Sequence, residues 1–568
     1  MNWDQEFDVV VVGSGSGAMV AAIVAHDHGQ QVVVLEKADK YGGTSATSGH
    51  GVWIPCNRYA KAADDYDDSF AEASLYIKDV TPLDKVPEAL IDRYVEQGPQ
   101  MIDYLYNKTH LEFVNHPTFP DYFSFAKGAK AGNRSLEPLP MHGNELGDEF
   151  YRMQPLHQQL SIYKRVNVTQ REGQWLLGRQ KGWLWKSIKM VLTYCFDISA
   201  RLKGARDKRM TAGQAGVGRL RKSMLERNID IQLGTDVHTL QTDETGKVIG
   251  VTATVDGKEI NIKARRGVVL AAGGFERNQQ MREQYLPGPT DISWTAAHGE
   301  NTGGAITAAM AIGASTSQMD DAWWTTTMLV PGETKGRLVV VEKAQPWGMV
   351  VNQGGKRYAN EAQNYVDFVK AIYSNYSEEV PTVPSFLVFD SKFRKSFPCG
   401  PILTPDVMPD WAIPKSWFHP DFLSKADSLE ALAETAGIDV DGLLAEVEKF
   451  NGFAKTGKDL DFQRGDGIYD RTYVSGEVKP NPCLGPLDTP PFYAVKVFPG
   501  EMGTMGGMDF NEHAQVLRED GSVIEGLYTA GNCSAALLPT YPGAGSTLGP
   551  SMTFGYLAGK HVSGNPAN

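Results

Sequence analysis

The first apolar run comes almost at once: residues 7–12 read Phe-Asp-Val-Val-Val-Val. A short β-branched run without polar alternation suits a central parallel strand buried on both faces. Residues 19–28 are rich in alanine and compatible with a helix, and 31–35 form a second apolar run ending at Glu36. Strand, helix and strand in that order predict a βαβ unit. Strand-like runs recur at 229–234, ending near Val237, at 268–274 and at 526–532, and Thr211-Ala212-Gly213-Gln214 opens a further helix. Between about 285 and 490 the pattern changes to short segments broken by prolines and aromatics. Within 184–202, Leu184, Ile188, Val191, Cys195, Ile198 and Leu202 recur at spacings of 4 and 3, which puts them on one face of a helix.

The turn after the first strand carries the first candidate chemistry. It reads Gly13-Ser14-Gly15-Ser16-Gly17-Ala18. Gly13 permits the tight turn, Gly15 lets the backbone approach a pyrophosphate, and Ala18 allows close helix–strand packing. The free N–H groups of the following helix face the phosphates. Glu36 lies 23 residues after Gly13, where a ribose hydroxyl acceptor is expected. The fold class is therefore α/β: a Rossmann-like dinucleotide-binding domain from residues 1–284 and 491–568, with an α+β substrate domain, 285–490, inserted. Asn301, ahead of the alanine-rich stretch 305–312, is expected to cap a helix there.

Composition narrows the class. A chain of 568 residues needs two or more domains, and 42% hydrophobic against 22% charged residues is globular rather than disordered. The net charge of -13 argues against a nucleic-acid partner. Five widely spaced cysteines with no CxxC argue against a disulfide framework or structural zinc and fit a reducing cytoplasm. No signal peptide is expected from the first residues, no apolar run is long enough to span a membrane, the absence of HExxH or a comparable histidine cluster argues against a metal site, and no GxSxG nucleophile elbow occurs.

After Glu36-Lys37 comes a second glycine- and hydroxyl-rich loop, Tyr41-Gly42-Gly43-Thr44-Ser45-Ala46-Thr47-Ser48-Gly49-His50-Gly51. With it, the chain resembles the FAD enzymes that include fumarate reductase flavoproteins and ketosteroid dehydrogenases. That resemblance implies non-covalent FAD held by Gly13 to Ala18, Glu36, Lys37, Gly43, Thr44, Ser45, Ser48 and Gly49. Residues from the returning segments, Val237, Ala272, Gly273, Gly531, Asn532, Thr547 and Leu548, are implied to join them. Three further segments look like the 3-ketosteroid Δ1-dehydrogenase family: Thr540-Tyr541-Pro542-Gly543-Ala544-Gly545 with its continuation to Tyr556, Asn360-Glu361-Ala362-Gln363-Asn364-Tyr365, and Tyr122 followed by Arg134-Ser135-Leu136-Glu137-Pro138. The resemblance implies that Tyr541 and the Gly545 N–H bind a steroid C3 carbonyl, Tyr365 takes the C2 proton, Tyr122 supports Tyr365, and FAD accepts hydride from C1. A tyrosine base needs its pKa, ordinarily about 10, lowered by a second hydroxyl or a dipole. Phe123 departs from the family, which often has a tyrosine or histidine there.

The resemblance lapses at about 154–209. Residues 151–210 hold 13 Lys/Arg against three acids, a local net of +10, with Trp175, Trp183 and Trp185. A basic, tryptophan-bearing amphipathic segment is expected to lie in a membrane interface, at the cytoplasmic face where anionic lipid attracts it. The alternative is a contact with its own domain or another subunit. No candidate catalytic tyrosine falls inside, so chemistry is expected to survive its removal. A long-side-chain sterol ketone is a plausible substrate and a quinone-type molecule a plausible electron acceptor. Competing readings are a 3-ketosteroid Δ4-dehydrogenase, a fumarate-reductase-type enzyme, and a flavin-binding membrane protein without catalysis.

Overall fold

The computed structural model describes residues 2–62, 67–162, 165–177, 181–474 and 478–564. The larger sheet has eight strands. Its parallel part runs in the order Asp230–Leu233, Val32–Glu36, Gln5–Val12, Lys258–Leu270 and Val523–Thr529. Val9, Val10 and Val11 are fully buried, as a strand covered on both faces requires. The first half of Lys258–Leu270 pairs antiparallel with Val248–Val255, which pairs in turn with Thr235–Thr242. Its second half pairs parallel with Val523–Thr529. One long strand thus joins the βαβ unit to the returning C-terminal segment.

Register decides where those segments end. Val12 stands opposite Leu35 on one side and Leu270 on the other, and Leu270 stands opposite Thr529. The loops after all four strands leave the sheet side by side, where open α/β sheets bind ligands. The helix Ser16–Asp27 crosses the C-terminal helix Leu548–Val562 through small residues: a Cβ on Gly17 would lie 2.5 Å from Ser551 Oγ, and one on Gly555 would lie 2.3 Å from the Gly17 carbonyl oxygen.

A second, antiparallel sheet of six strands carries the substrate side. Its order is Arg337–Leu338, Ala322–Met328, Phe492–Thr504, Ser385–Phe389 and Gly348–Val351, with Leu423–Ala426 also on Phe492–Thr504. The expected boundary at 490 therefore falls too early. Phe492–Thr504 is 13 residues long and pairs with Ser385–Phe389 along its first half and Ala322–Met328 along its second.

The basic insert is helical at Gln170–Leu177, Trp183–Phe196 and Ile198–Lys203. Its residues 163–164 and 178–180 lie outside the described ones. The expected single helix breaks at Asp197, whose side chain accepts the Ala200 N–H and caps a new helix. Tyr194 anchors the pair inward, donating to the Ala205 carbonyl. The expected apolar positions point outward instead of packing: Leu184 is 55% exposed, Ile198 66% and Leu202 84%, and Trp185 and Phe196 beside them are also exposed, at 76% and 74%. Among the described residues no helix is long and apolar enough to cross a membrane.

The close helix crossing yields a test. Gly555→Val places side-chain carbon against the Gly17 backbone, and overpacking of this kind costs about 1–3 kcal/mol. The denaturation midpoint should fall measurably; a midpoint equal to the parent's would show that the two helices separate freely.

Candidate active site

One cavity of about 460 Å³ lies between the two sheets. Its walls include every residue that sequence singled out for the cofactor: Gly13, Ser14, Gly15, Ser16, Gly17, Ala18, Glu36, Lys37, Gly43, Thr44, Ser45, Ser48, Gly49, Val237, Ala272, Gly273, Gly531, Asn532, Thr547 and Leu548. Tyr122, Tyr365, Tyr541 and Gly545 line the same cavity.

The chemistry of the dinucleotide end fits FAD. Gly13 has a φ of 99°, and a Cβ there would lie 2.4 Å from the Ala271 carbonyl oxygen, so only glycine makes this turn. Ser16 N–H donates to Ser45 Oγ, which ties the two glycine-rich loops together. Ser16 Oγ itself is buried with no partner among the described residues. Two helices, Ser16–Asp27 and Leu548–Val562, begin at the cavity without a side-chain cap. Their free N–H groups and positive dipole ends suit a pyrophosphate and an electron-rich ring. Glu36 accepts from Ser14 Oγ and, at 2.9 Å, from the Ala38 N–H. Each of its oxygens keeps a second lone pair for a ribose hydroxyl. Lys37 bridges the mouth to Thr302 Oγ1 at 3.1 Å.

Asn301 does something other than cap a helix. The helix Gly304–Met310 has Gly303 as its N-cap, with no side-chain cap. The Asn301 amide instead donates to Thr44 Oγ1 at 3.2 Å, and the His298 N–H reaches the same oxygen at 3.1 Å. The second glycine-rich loop is thereby fastened to the substrate domain.

The tyrosines meet at the far end. Tyr122 and Tyr365 share a hydroxyl–hydroxyl bond of 3.1 Å, with rings edge to face. Tyr541 lies 5.5 Å from Tyr365 and 5.6 Å from Tyr122 between ring centroids. The Gly545 N–H donates to the Tyr541 hydroxyl at 3.4 Å, so the two donor groups lie side by side. Gly545 has a φ of 108°, and a Cβ would lie 2.5 Å from Val52 N. The Arg134 of the Arg-Ser-Leu-Glu-Pro segment acts one step back. Its guanidinium pairs with Asp121 at 2.7 Å and with Asp68, and Asp121 also accepts from the Trp53 indole N–H. Asp121 precedes Tyr122, whose own N–H donates to the Pro542 carbonyl at 2.9 Å. The segments carrying Tyr122 and Tyr541 are thus locked to each other.

Burial pushes the phenols of Tyr122 and Tyr365 well above 10 and raises that of Tyr541. The hydrogen bond from Tyr122 pulls Tyr365 back, but desolvation is the larger cause. The expected depression of the base is therefore absent from the free protein.

Sequence reading missed two tyrosines here. Tyr469 packs on Tyr122 with ring centroids 4.5 Å apart and the planes tilted by 48°, and Tyr473 lines the cavity against Phe119. Neither stands in a motif; among 22 tyrosines only tertiary contact distinguishes them. It also missed the neck of the insert. His157, Gln159, Leu160 and Gln170 line the cavity. The Gln159 side chain pairs with both the N–H and the carbonyl of Leu338, at 3.0 and 2.9 Å, and Gln170 donates to the Gly49 carbonyl at 2.7 Å. Removal of all of 154–209 would open the cavity wall, so the expectation that the whole insert is dispensable is corrected. Only the projecting part beyond the neck is separate from the site.

Comparison with known proteins agrees with this geometry. The family model described as the FAD binding domain matches residues 8–548. The chain is 38% identical to a 3-oxosteroid 1-dehydrogenase of Mycobacterium tuberculosis over 98% of each chain. It is 37% identical to one from Mycolicibacterium smegmatis, covering 99% of this chain and 98% of that one. Among solved structures, a 3-ketosteroid Δ1-dehydrogenase from Sterolibacterium denitrificans in complex with 1,4-androstadiene-3,17-dione superposes with a TM-score of 0.94 at 42% identity, covering 99% of this chain and all of that one. The chain belongs to the FAD-binding flavoprotein family that includes the 3-oxosteroid 1-dehydrogenases.

Proposed function

We propose that this chain desaturates the C1–C2 bond of 3-ketosteroids with non-covalently bound FAD. The observation that carries the reading is the convergence of the Tyr541 hydroxyl and the Gly545 N–H beside the Tyr122–Tyr365 hydroxyl pair in one buried cavity. Two donors aimed at a ketone oxygen stabilise the enolate that forms when the adjacent carbon loses a proton. Tyr541 suits the donor role because its raised pKa keeps it protonated. In this reading the phenolate form of Tyr365 takes the C2 proton and becomes the phenol, and the Tyr122 hydroxyl, 3.1 Å away, donates a hydrogen bond to that phenolate beforehand. Bound FAD supplies the two-electron acceptor for the C1 hydride. The buried rings of Tyr122, Tyr365, Tyr469 and Tyr541 exclude water around the reacting carbons.

The insert supports a second level of the proposal. Its outward apolar face and its local charge of +10 suit an anionic bilayer surface at the cytoplasmic face of the membrane. A lipid-dissolved sterol ketone would reach the cavity past Gln159 and Leu160 of the neck, and a quinone in the same bilayer is the proposed electron acceptor.

Anaerobic addition of a 3-keto-4-ene steroid should bleach the flavin and yield the 1,4-diene. Tyr541→Phe loses one oxyanion donor and should slow that step by about 100-fold or more, with FAD retained and still released by acid. Tyr365→Phe should be slower again. Parental rates in Tyr541→Phe would remove it from the mechanism.

Acidity gives an independent check. Since burial raises the Tyr365 phenol, its unprotonated fraction grows with pH throughout the stable range. Flavin reduction should accelerate up to about tenfold per pH unit between about pH 6 and 9. A rate independent of pH would mean that Tyr365 is not the proton acceptor.

For the membrane, the parent should sediment with anionic liposomes and bind less as salt rises. Trp185→Ser, Phe196→Ser and Leu202→Ser combined should abolish sedimentation while leaving turnover of a small ketosteroid intact. Reoxidation should be faster with quinone-loaded than with empty vesicles. Equal sedimentation of the triple variant would make the insert a protein contact, and equal reoxidation would remove the quinone.

A further inference from the structure

Lys343 is a fully buried lysine, 2% exposed, with no carboxylate at hydrogen-bond distance among the described residues. It sits two residues after Val341, which lines the cavity together with Val340. Its Nζ donates to the carbonyls of Glu361 at 2.6 Å and Gln363 at 2.8 Å. It also lies 4.8 Å from the ring centroid of Phe368, one turn beyond Tyr365 on the helix Tyr365–Ser374. We propose that Lys343 is a positioning residue for the base, pinning the segment that delivers Tyr365 to the substrate. The inference rests on the reading of Tyr365 as proton acceptor.

The local backbone explains why a lysine is needed. The first bond of the helix runs from the Phe368 N–H to the Asn364 carbonyl, and the Asn364 side chain caps the Asp367 N–H. The carbonyls of Glu361 and Gln363 lie upstream of that first bond, outside the helix ladder. A buried carbonyl without a donor costs free energy comparable to a lost hydrogen bond. One tetrahedral ammonium reaches both and fixes their separation.

The neighbouring charges do not compete for that task. The Glu361 carboxylate is held by both Arg357 nitrogens at 2.7 Å and by Arg464 at 3.2 Å. Arg357 is shared with Asp459. Asp470 is taken by the Asn360 amide and the Gly465 N–H. Lys343 feels Glu361 and Asp470 at longer range, against Arg464, while burial pushes it down to about 7. Charged or neutral, its nitrogen keeps enough N–H groups for both carbonyls. It thereby joins the short turn Glu342–Ala344, next to the cavity wall, to the segment feeding Tyr365. A misplacement of 1 Å at such a site costs about 100-fold in rate.

Lys343→Met keeps the length and removes the donors. Stopped-flow reduction by a 3-keto-4-ene steroid should slow by at least about tenfold, with the steroid dissociation constant within about twofold of the parent. The isotope effect from steroid deuterated at C2 should grow, because proton removal becomes more limiting. Amide exchange across 361–368 should quicken in the same variant without any substrate present. Unchanged exchange overturns the proposal, and so does a weaker dissociation constant with an unchanged limiting rate. If Lys343→Met does not fold, Lys343→Gln, which keeps one donor group, decides: a slowed rate with parental steroid affinity supports the role, and a parental rate overturns it. A parent that no steroid reduces would sink the functional reading, while amide exchange would still judge Lys343.

Discussion

Val12, Leu35, Leu270 and Thr529 stand opposite one another across neighbouring parallel strands, so the chain leaves the sheet at the same edge four times. That register is set by backbone hydrogen bonds and by the burial of both sheet faces. A slip of one residue would turn every side chain to the wrong face. The turn at Gly13, the Glu36–Lys37 pair, the Ala272–Gly273 turn and the Gly531–Asn532 turn meet only because the register holds. The two uncapped helices that follow the sheet, Ser16–Asp27 and Leu548–Val562, are aimed at one cavity for the same reason, and their small residues let them cross.

The other end of the cavity works through exclusion of water. Tyr122, Tyr365 and Tyr541 pack ring against ring, Tyr469 packs on Tyr122, and all four are buried. A low dielectric strengthens a hydrogen bond to a developing oxyanion. The same environment makes a phenolate harder to form, and the raised acidities of the free protein express that cost. Under the proposed function, negative charge is stabilised on a bound ketone and not on a resting tyrosine. Geometry must then supply what acidity does not, which is why the supports behind the rings matter: Arg134 and Asp121 behind Tyr122, and the Glu361–Asn364 segment behind Tyr365.

The insert divides at its neck. The projecting helices turn apolar side chains to solvent, while Gln159 and Gln170 bond to backbone on both sides of the cavity. Exposed apolar helices and a piece of the cavity wall are therefore continuous in the chain.

The βαβ unit, the glycine-rich turns and the acid after the second strand were legible in the sequence, because each depends on a local pattern: a β-branched run, a residue without Cβ, and a fixed distance from Gly13 to Glu36. Tyr122, Tyr365 and Tyr541 were legible only through motifs resembling a family. The outward apolar face of the insert followed from helical spacing, although its break at Asp197 did not. Tertiary structure alone decided the rest. It assigned Phe492–Thr504 to the substrate sheet, turned Asn301 from a cap into a tether, added Tyr469 and Tyr473, and put the neck in the cavity wall. Each of these depends on contacts between residues far apart in the chain. Local periodicity and residue type record what a segment prefers, and they carry no information about which distant backbone group completes its hydrogen bonds.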